Sequence, residues 1–390
     1  MEEIFDVVIV GAGASGLVCA WQSAKKGKKV LILEKNDVAG KKILASGNGR
    51  CNFTNQFMEP SCYHGDTAFI SDILRQFPTE KAIQLFHEIG IYEKERDGYF
   101  YPYAGQAVTV RDFLVAACKR EGVQFWLDTK VAKAVHKDGV FRISAKGGKN
   151  GVASALVLAC GGKANQPLGG DGSGYLLARS FGHQVTKLFP ALTGLCAAGK
   201  EWEQLAGVRM QGQVSLLADG KTLAKEQGEI QIVKDGLSGI PVFQLCAPAA
   251  KALEEGKEVV CEIDFLPDWD SHKIQQWEQE FGEAYLQGLV PKKWVPVLRE
   301  RAKKEPLSVS LKHYPVKIVE PFGMERAQVT SGGVPTHEID SQTMESKKVN
   351  NLYLIGELLD VDGICGGYNL HFAWATGYLC ACGILGSQEE

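Results

Sequence analysis

The 390-residue chain lacks the features that mark several classes of protein. Its longest apolar runs, such as Val7 to Val10 and Val152 to Ala159, are the length of strands and fall far short of the ~20 residues that span a bilayer. No run of like charge or basic patch occurs, and the formal net charge is only −3. We therefore expect a globular protein with neither a membrane nor a nucleic acid as its partner.

Signals for secretion and for disulfides are also missing. Glu2, Glu3 and Asp6 stand where a secretory signal carries Lys or Arg, which predicts a cytoplasmic protein. The eleven cysteines are odd in number and include no CxxC pair, so most are expected to be reduced core residues. Burial explains the one CxC pair, Cys380 and Cys382, better than redox chemistry does. No zinc-type spacing occurs, and no metal site is predicted.

Residues 4 to 34 have the pattern of one βαβ unit, in which a buried strand, a glycine-rich turn, a helix and a second strand follow one another. Gly11, Gly13 and Gly16 form GxGxxG, which allows a sharp turn and a close approach of a pyrophosphate to the positive end of the helix. Glu34 ends the second strand, where its carboxylate can accept hydrogen bonds from ribose hydroxyls. A turn that served packing alone would leave this acid unexplained. The unit predicts a dinucleotide site, and NAD and FAD satisfy it equally.

The rest of the chain alternates helical and strand-like segments. The segment VAGKKILASGNGRCNFTN has neither period and indicates an ordered functional loop. Helical spacing covers residues 71 to 90 and 108 to 121, and the latter precedes strands that turn at Asp138-Gly139. The buried strand ASALVLACGG predicts another parallel strand of the same sheet.

Strand-like alternation dominates from Leu188 to Ala327 and is interrupted by a charged helical stretch, after which the tail returns to the earlier style. We therefore predict an α/β protein with a discontinuous Rossmann-like FAD-binding domain, residues 1–187 and 328–390. The inserted substrate or cap domain, residues 188–327, is predicted to be mainly β and barrel-like, with a helical part at about 268–306.

Four segments decide between the two dinucleotides. They are DVVIVGAGASGL with LILEK, GKKILASGNGRCNFTN, LACGG with GDGSGYLLARSFGH, and TSGGVPTHEID continuing to GGYNLHFAWATGY. With these segments the chain resembles the bacterial aminoacetone-oxidase-like flavoproteins, a group of NAD(P)/FAD-dependent oxidoreductases that includes a bile-acid-inducible flavoprotein. The resemblance covers nearly the whole chain. It implies an FAD-dependent oxidoreductase.

The resemblance also implies which residues hold the cofactor. The GKK loop, Gly40 to Lys42, and the turn from Ser46 to Asn52 would wrap the pyrophosphate, the ribityl chain and the flavin edge. The backbone of Val131 would contact the adenine, and Glu357 would bind ribityl hydroxyls. Cys160 and His371 depart from the group, where Thr and Gln are commoner. The implied cofactor-binding residues are Gly11, Gly13, Ala14, Ser15, Gly16, Glu34, Lys35, Gly40, Lys41, Lys42, Ser46, Gly47, Asn48, Gly49, Arg50, Cys51, Asn52, Val131, Ala159, Cys160, Gly161, Gly356, Glu357, Gly367, Asn369 and Leu370.

Catalytic residues are less defined, because a flavin carries the hydride chemistry itself. Tyr368 and His371 flank the expected flavin and are our candidates for proton transfer with a substrate. The alternative is that Tyr368 packs on the ring and His371 is a hydrogen-bonded core histidine.

The expected activity is hydride transfer between a small organic substrate and non-covalent flavin. NAD(P)H, if it is the electron donor, must bind without a Rossmann unit of its own, because GGDGSG at 169–174 follows no second βαβ unit. Oxidation of an amine or ketone by oxygen competes with reduction or dehydrogenation of a carbon–carbon bond next to a carbonyl in a bile-acid or steroid-like substrate. A flavin-binding sensor without turnover, including one that acts on RNA, is a further alternative. The sequence leaves the oligomeric state open.

Overall fold

The computed structural model describes residues 3–386, apart from the side chains of residues 283 and 285. The chain forms two compact units. Unit 1 contains the chain up to Leu188 and from Val329 onward, and unit 2 is Phe189–Gln328.

Short strands and helices alternate through both units. The strands are β1 (Ile4–Val10), β2 (Val30–Leu33), β3 (Thr54–Asn55), β4 (Tyr63–His64), β5 (Glu93–Arg96), β6 (Tyr99–Pro102), β7 (Gln124–Trp126), β8 (Val131–Lys137), β9 (Val140–Ala145), β10 (Asn150–Leu158), β11 (Phe189–Ala191), β12 (Leu195–Ala197), β13 (Arg209–Ala218), β14 (Lys221–Val233), β15 (Gly236–Ser238), β16 (Val259–Asp264), β17 (Tyr314–Pro321), β18 (Val329–Ser331), β19 (Leu352–Leu354) and β20 (Asp362–Gly363). The α-helices are α1 (Ala14–Lys25), α2 (Lys41–Ala45), α3 (Thr67–Gln76), α4 (Thr79–His87), α5 (Ala107–Arg120), α6 (Ser173–Ser180), α7 (Glu201–Leu205), α8 (Ile240–Glu254), α9 (Ser271–Phe281), α10 (Val295–Ala302), α11 (Leu307–Lys312) and α12 (Tyr368–Gly386).

Unit 1 is built on a seven-stranded sheet in the order β7-β2-β1-β10-β9-β8, with β19 also paired to β10. The pairs β7-β2, β2-β1, β1-β10 and β10-β19 are parallel, whereas β9 and β8 pair antiparallel. Apart from the exposed Ile4 and the partly buried Asp6 of β1, the parallel strands β1 and β2 are apolar and buried, as expected for a sheet covered on both faces. The carboxyl ends of β1, β2, β10 and β19 therefore meet at one edge, where open α/β sheets place ligands.

Local sequence explains where several elements end. The helical spacing over residues 71–90 belongs to two helices, α3 and α4, because Pro78 has no N–H and forces Phe77 out of the helical region. Asp138 and Gly139 both have positive φ, at 54° and 74°, and form the predicted turn between β8 and β9. The loop VAGKKILASGNGRCNFTN contains the one-turn helix α2 and a left-handed turn, which its residue pattern did not predict.

The long helix α12 closes the core of unit 1 by packing against α1. The contact is close because Gly377 carries no side chain, and a Cβ there would overlap the carbonyl of Ser15. Two small sheets, β3-β6-β5 and β20-β4, flank this region.

Unit 2 contains a closed barrel of six strands in the order β12-β15-β14-β13-β16-β17. Strand β13 alternates between buried and more exposed residues, which is the period of a strand with one face in a core. The helices α9, α10 and α11 follow β16, and aromatic rings of Trp202, Phe265, Trp294 and Tyr314 pack edge to face in the core. The predicted fold class, Rossmann-like with a barrel-like β part, is confirmed.

Within residues 3–386, none of the helices combines the length and the apolar character needed to cross a bilayer. Within residues 3–386, which include all eleven cysteines, no disulfide is formed.

Candidate active site

The glycine-rich turn assigns different tasks to its three glycines. A Cβ on Gly11, whose φ is +111°, would overlap the carbonyl of Ala159, and one on Gly16 would overlap the carbonyl of Gly11. A Cβ on Gly13 would meet nothing within 4 Å. Gly13 is also the N-cap of α1, and no side chain caps this helix end. Two glycines thus permit close packing, while the third leaves open space before uncapped N–H groups that suit phosphate oxygens.

Glu34 lies directly after β2 and is only 7% exposed. Its Oε2 accepts a hydrogen bond of 2.7 Å from the Ala12 N–H, and its Oε1 accepts 2.8 Å and 2.7 Å bonds from the N–H and side-chain amide of Asn36. A carboxylate accepts about four hydrogen bonds, so capacity for about one ribose hydroxyl remains. The acid both holds the glycine-rich turn and fits the predicted ribose contact.

Lys35 and Val131 lie near this acid in different ways. The Lys35 Nζ pairs with Asp171 at 2.6 Å, and Lys130 pairs with the same carboxylate at 2.7 Å. Burial would raise the pKa of Asp171, but the hydrogen bonds from both lysines and Ser173 outweigh it and lower the pKa. Lys35 is therefore held in an ion pair. Val131 starts β8, two residues after Thr129, whose N–H donates to the Glu34 carbonyl.

The GKK loop is tied directly to the glycine-rich turn, because the Gly40 N–H donates to the Ala12 carbonyl at 2.8 Å. Beyond α2, Gly47, Asn48 and Gly49 have φ values of 54°, 55° and 78°. Cys51 is also left-handed, at 58°. Such a run of left-handed backbone is costly for residues other than glycine and is typical of ligand-binding turns.

Other predicted residues of this loop differ in exposure. Ser46 Oγ donates to the Ile43 carbonyl, Arg50 is exposed, and Lys41 is half-buried. Burial raises the pKa of the Cys51 thiol to about 12, so this sulfur is an uncharged core group.

A polar chain links four segments that are distant in sequence. The Lys42 Nζ pairs with Glu357 Oε2 at 2.5 Å, and Glu357 Oε1 accepts a 2.9 Å bond from the Thr330 N–H. Thr330 Oγ1 in turn accepts bonds of 2.8 Å and 2.9 Å from the N–H groups of Lys163 and Ala164. The sequence predicted Lys42 and Glu357 but not Thr330, whose only signal was its place in the TSGG segment.

The residues that follow β10 pack against the glycine-rich turn and the end of β1. The Ala159 N–H donates to the Val10 carbonyl at 2.9 Å, and the Cys160 thiol lies 3.4 Å from the same oxygen. Burial raises the pKa of Cys160 to about 12, which makes it a structural thiol. Gly161 has a φ of +68°, and a Cβ there would meet nothing within 4 Å.

The N-terminus of α12 lies close to Asn52, at the end of the turn that follows α2. A Cβ on Gly367, whose φ is +92°, would lie 2.9 Å from Asn52 Oδ1 and 3.0 Å from the Thr54 carbonyl. Asn52 Oδ1 is buried and has no hydrogen-bond partner among the residues that the structure describes. An unpaired buried acceptor costs about 1–3 kcal/mol, so this atom points to a donor that the chain does not supply.

Three further predicted residues take structural positions here. Asn369 clamps its own loop, since its Oδ1 accepts from the Gly363 N–H at 2.9 Å and its Nδ2 donates to the Gly363 carbonyl at 2.7 Å. Leu370 is half-buried. Gly356 packs against Ser15 of α1, where a Cβ would come within 2.6 Å of the Ser15 hydroxyl. Gly356 thus joins the first turn of α1 to the middle of α12, since its N–H donates to Thr376 Oγ1 at 3.0 Å.

Both catalytic candidates are buried. His371 is fully buried, its Nδ1 lies 2.8 Å from Thr54 Oγ1, and its Nε2 lies 2.9 Å from the Phe77 carbonyl. Burial lowers its pKa to about 4. Tyr368 is also buried, packs edge-on against Tyr63 at 5.7 Å, and has a pKa raised by burial. The contacts of His371 favour the alternative of a hydrogen-bonded core histidine, and the role of Tyr368 stays a prediction.

The residues present fit a flavin dinucleotide. The open, uncapped N-terminus of α1 and the spare capacity of Glu34 suit an adenosine diphosphate, while the unpaired Asn52 Oδ1 suits an N–H of a ring. Within residues 3–386, no group of three or more His, Cys, Asp or Glu side chains is placed to hold a metal ion.

Known proteins share both the sequence and the fold. The profile of the HI0933-like protein Rossmann domain matches residues 5–383. A 3-dehydro-bile acid delta(4,6)-reductase of Clostridium scindens is 40% identical over 95% of this chain and 97% of its own. A ribosomal RNA dihydrouridine synthase of Escherichia coli is 32% identical over the full length of both chains. This relative weighs against the expectation that nucleic acid is no partner, which stays a prediction.

A solved structure of 3-ketosteroid delta1-dehydrogenase from Sterolibacterium denitrificans matches with a TM-score of 0.57, over 99% of this chain and 100% of that chain, at 14% identity. At that identity the likeness concerns the fold. The family resemblance and the enzyme class predicted from the sequence are confirmed. The chain belongs to the HI0933-like family of Rossmann-domain proteins and is an oxidoreductase of the flavoprotein class.

Proposed function

We propose that the chain binds FAD non-covalently in the domain formed by residues 1–187 and 328–390, and that it reduces a C=C bond next to a carbonyl group. The observation that carries the flavin assignment is Asn52 Oδ1, a buried acceptor without a partner beside the N-terminus of α12. A flavin offers an N–H on the pyrimidine side of its ring. Pairing that donor with Asn52 would relieve the cost of the unpaired oxygen.

The other end of the cofactor would lie at α1. Phosphate oxygens would accept from the uncapped N–H groups of Ala14 and Ser15 in the space beside Gly13, and a ribose hydroxyl would donate to Glu34. At the flavin end, the ion-paired Lys42 and Glu357 would bind ribityl hydroxyls.

The reaction class is supported by what the relatives are named for. A delta(4,6)-reductase of 3-dehydro-bile acids saturates double bonds conjugated to a ketone, and a dihydrouridine synthase saturates the double bond of a uracil ring that adjoins a carbonyl. Both reactions add a hydride and a proton across an activated C=C bond. When bound, the flavin would supply the hydride, and the chain would hold the substrate and deliver the proton.

The bile-acid or steroid-like substrate is our first choice, because the relative with that activity has the higher identity, 40% against 32%. NAD(P)H is the proposed electron donor. It would bind only transiently, since no second βαβ unit follows in the sequence.

The test uses the visible spectrum of the purified protein and its anaerobic half-reactions. We expect one FAD per chain, released intact on denaturation and identified by mass. NADH or NADPH should bleach the flavin, and 4-androstene-3,17-dione or cyclohex-2-enone should restore its colour. A colourless protein that cannot be reconstituted with FAD contradicts the proposal. Peroxide production from amines, with no response to enones, would favour the oxidase alternative instead.

A second candidate is reduction of uridine in RNA. Its supporting observation is a group of exposed aromatic rings in and around the β5-β6 hairpin, where Phe57, Tyr92 and Tyr103 are 63%, 62% and 74% exposed. Exposed rings can stack on unpaired bases. A mobility shift on ribosomal RNA, followed by analysis of that RNA for dihydrouridine, distinguishes this candidate from the first.

A further inference from the structure

A histidine and an aspartate outside the predicted site form a hydrogen-bonded pair in the small sheet of unit 1. Strands β4 and β20 are antiparallel, and their register places His64 directly opposite Asp362. The Nδ1 of His64 lies 2.9 Å from Asp362 Oδ2. The aspartate side chain is 3% exposed, whereas that of the histidine is 37% exposed.

This geometry orients the imidazole. A buried carboxylate on Nδ1 fixes that nitrogen as the donor, so the second nitrogen, Nε2, is directed to the exposed side of the ring. Among the described residues, Nε2 of His64 has no hydrogen-bond partner. His371 and His183 differ, since both of their ring nitrogens are bonded.

Other acidic groups near this pair in the chain already have partners. Asp66 caps α3 by accepting from the N–H groups of Ala68 and Phe69. Asp360 accepts from Thr186 Oγ1 at 3.0 Å. Asp362 is therefore the carboxylate that sets the orientation of His64.

The pair is anchored to the first turn of α12. Gly363 follows Asp362 directly and is held by both side-chain atoms of Asn369. A Cβ on Gly363 would come within 2.6 Å of the Tyr368 Cβ. His64 thus belongs to the cluster of loops at the helix N-terminus to which we assign the flavin ring.

We propose that His64 donates the proton in the reduction of the C=C bond, and that Asp362 is its positioning residue. The proposal rests on the function proposed above. Hydride adds to the carbon distal to the carbonyl, and the electron pair of the double bond moves to the carbon next to the carbonyl. That carbon takes the proton from Nε2 of the His64 imidazolium, which leaves a neutral ring with its remaining proton on Nδ1, facing Asp362. The imidazole regains a proton from water. The flavin is reduced again by NAD(P)H, so one NAD(P)H and one proton are consumed per double bond.

The closing experiment separates the two half-reactions by anaerobic stopped-flow in the FAD-loaded protein. The variants are His64→Gln and Asp362→Asn, with His87→Gln as the matched control. His87 also pairs with a carboxylate, Glu93, at 2.5 Å and has a similar exposure of 35%. NADPH reduces the flavin and cyclohex-2-enone reoxidises it.

We expect flavin reduction by NADPH to stay within about two-fold of wild type in all variants, because that step needs no proton from the chain. Reoxidation by the enone should slow at least about 100-fold in His64→Gln and about ten-fold in Asp362→Asn, with a changed pH profile in the latter. His87→Gln should match wild type. Equal reoxidation rates in wild type and His64→Gln overturn the proposal while the function stands. A wild-type flavin that no enone reoxidises overturns the proposed function, and the role of His64 with it.

A readout that does not depend on activity is the imidazole ¹⁵N spectrum. The neutral His64 ring should carry its proton on Nδ1 in wild type and lose that preference in Asp362→Asn. An unchanged tautomer in this variant removes Asp362 from its positioning role.

Discussion

The two ends of the proposed cofactor site are built in opposite ways. The adenosine end uses one continuous βαβ segment, in which Glu34 bonds back to Ala12 within the same unit. The flavin end is assembled from separate loops that meet through the Lys42–Glu357 pair, Thr330 and the N-terminus of α12. The difference shows that one local sequence motif is enough to define the adenosine end. The flavin end, in contrast, depends on contacts between segments that are distant in sequence.

The largest effect is expected from two separate substitutions in the glycine-rich turn, one at Gly11 and one at Gly13. In Gly11→Ala the new Cβ overlaps the Ala159 carbonyl, and the residue keeps a φ of +111°. We therefore expect the free energy of unfolding to fall by about 3 kcal/mol. In Gly13→Ala the Cβ meets no atom of the chain. Its free energy of unfolding without cofactor should stay within about 0.5 kcal/mol of wild type, while FAD affinity falls at least about ten-fold.

Urea unfolding and FAD titration measure both effects. If Gly13→Ala keeps the wild-type affinity for FAD, the pyrophosphate does not bind in the space before α1.

The next largest effect concerns His371 at the flavin end. The pKa of His371 is about 4 in the folded chain, against an ordinary value of 6.5. Between pH 6.5 and pH 4, the imidazole is therefore protonated in the unfolded chain but neutral in the folded chain. Stability present above pH 6.5 is therefore lost towards pH 4, by about 3 kcal/mol from this one group. In His371→Gln this loss should be absent, so the difference in unfolding free energy between wild type and variant should shrink as the pH falls.

Urea unfolding at pH 7, 5 and 4 tests this expectation. His136→Gln, at an exposed position, serves as the control. A difference between wild type and His371→Gln that does not change with pH contradicts the burial of a neutral imidazole.

A smaller effect is expected where loops of the flavin end are joined. Lys42→Met leaves the half-buried Glu357 without its cation and should lower the unfolding free energy by about 1–2 kcal/mol. Lys41→Met removes a neighbouring charge that is not part of the polar chain and is the matched control. A double-mutant cycle with Glu357→Gln measures the coupling. A coupling energy near zero would show that the ion pair does not hold the loops together.

A small change in stability is also expected at Asn52. Asn52→Leu removes a buried acceptor that bonds to no described residue, so the protein without cofactor should be as stable as wild type within about 1 kcal/mol. Its affinity for FAD, measured by fluorescence titration, should fall several-fold because the ring would lose a hydrogen bond. Unchanged affinity would separate Asn52 from the flavin.

Much of this architecture could be predicted because its signals are local. The period of β1 and α1, the glycine spacing and the acid at the end of β2 are read directly along the chain. The break at Pro78 was equally visible as a residue type, but the helical spacing on both sides of it hid the boundary between α3 and α4. The left-handed run at residues 47 to 49 carries no periodic signal, so only its glycines hinted at it.

The sequence by itself determined the sheet, the glycine-rich turn and the family, since these depend on neighbours within a few residues or on segments long enough to be recognised. The tertiary structure decided the rest. It made His371 a core residue bonded to Thr54 and Phe77, left Asn52 Oδ1 without a partner, and brought His64 onto Asp362 across 298 positions of the chain. Burial and hydrogen bonding set the chemistry of a polar side chain, and both are fixed by residues far away in the sequence.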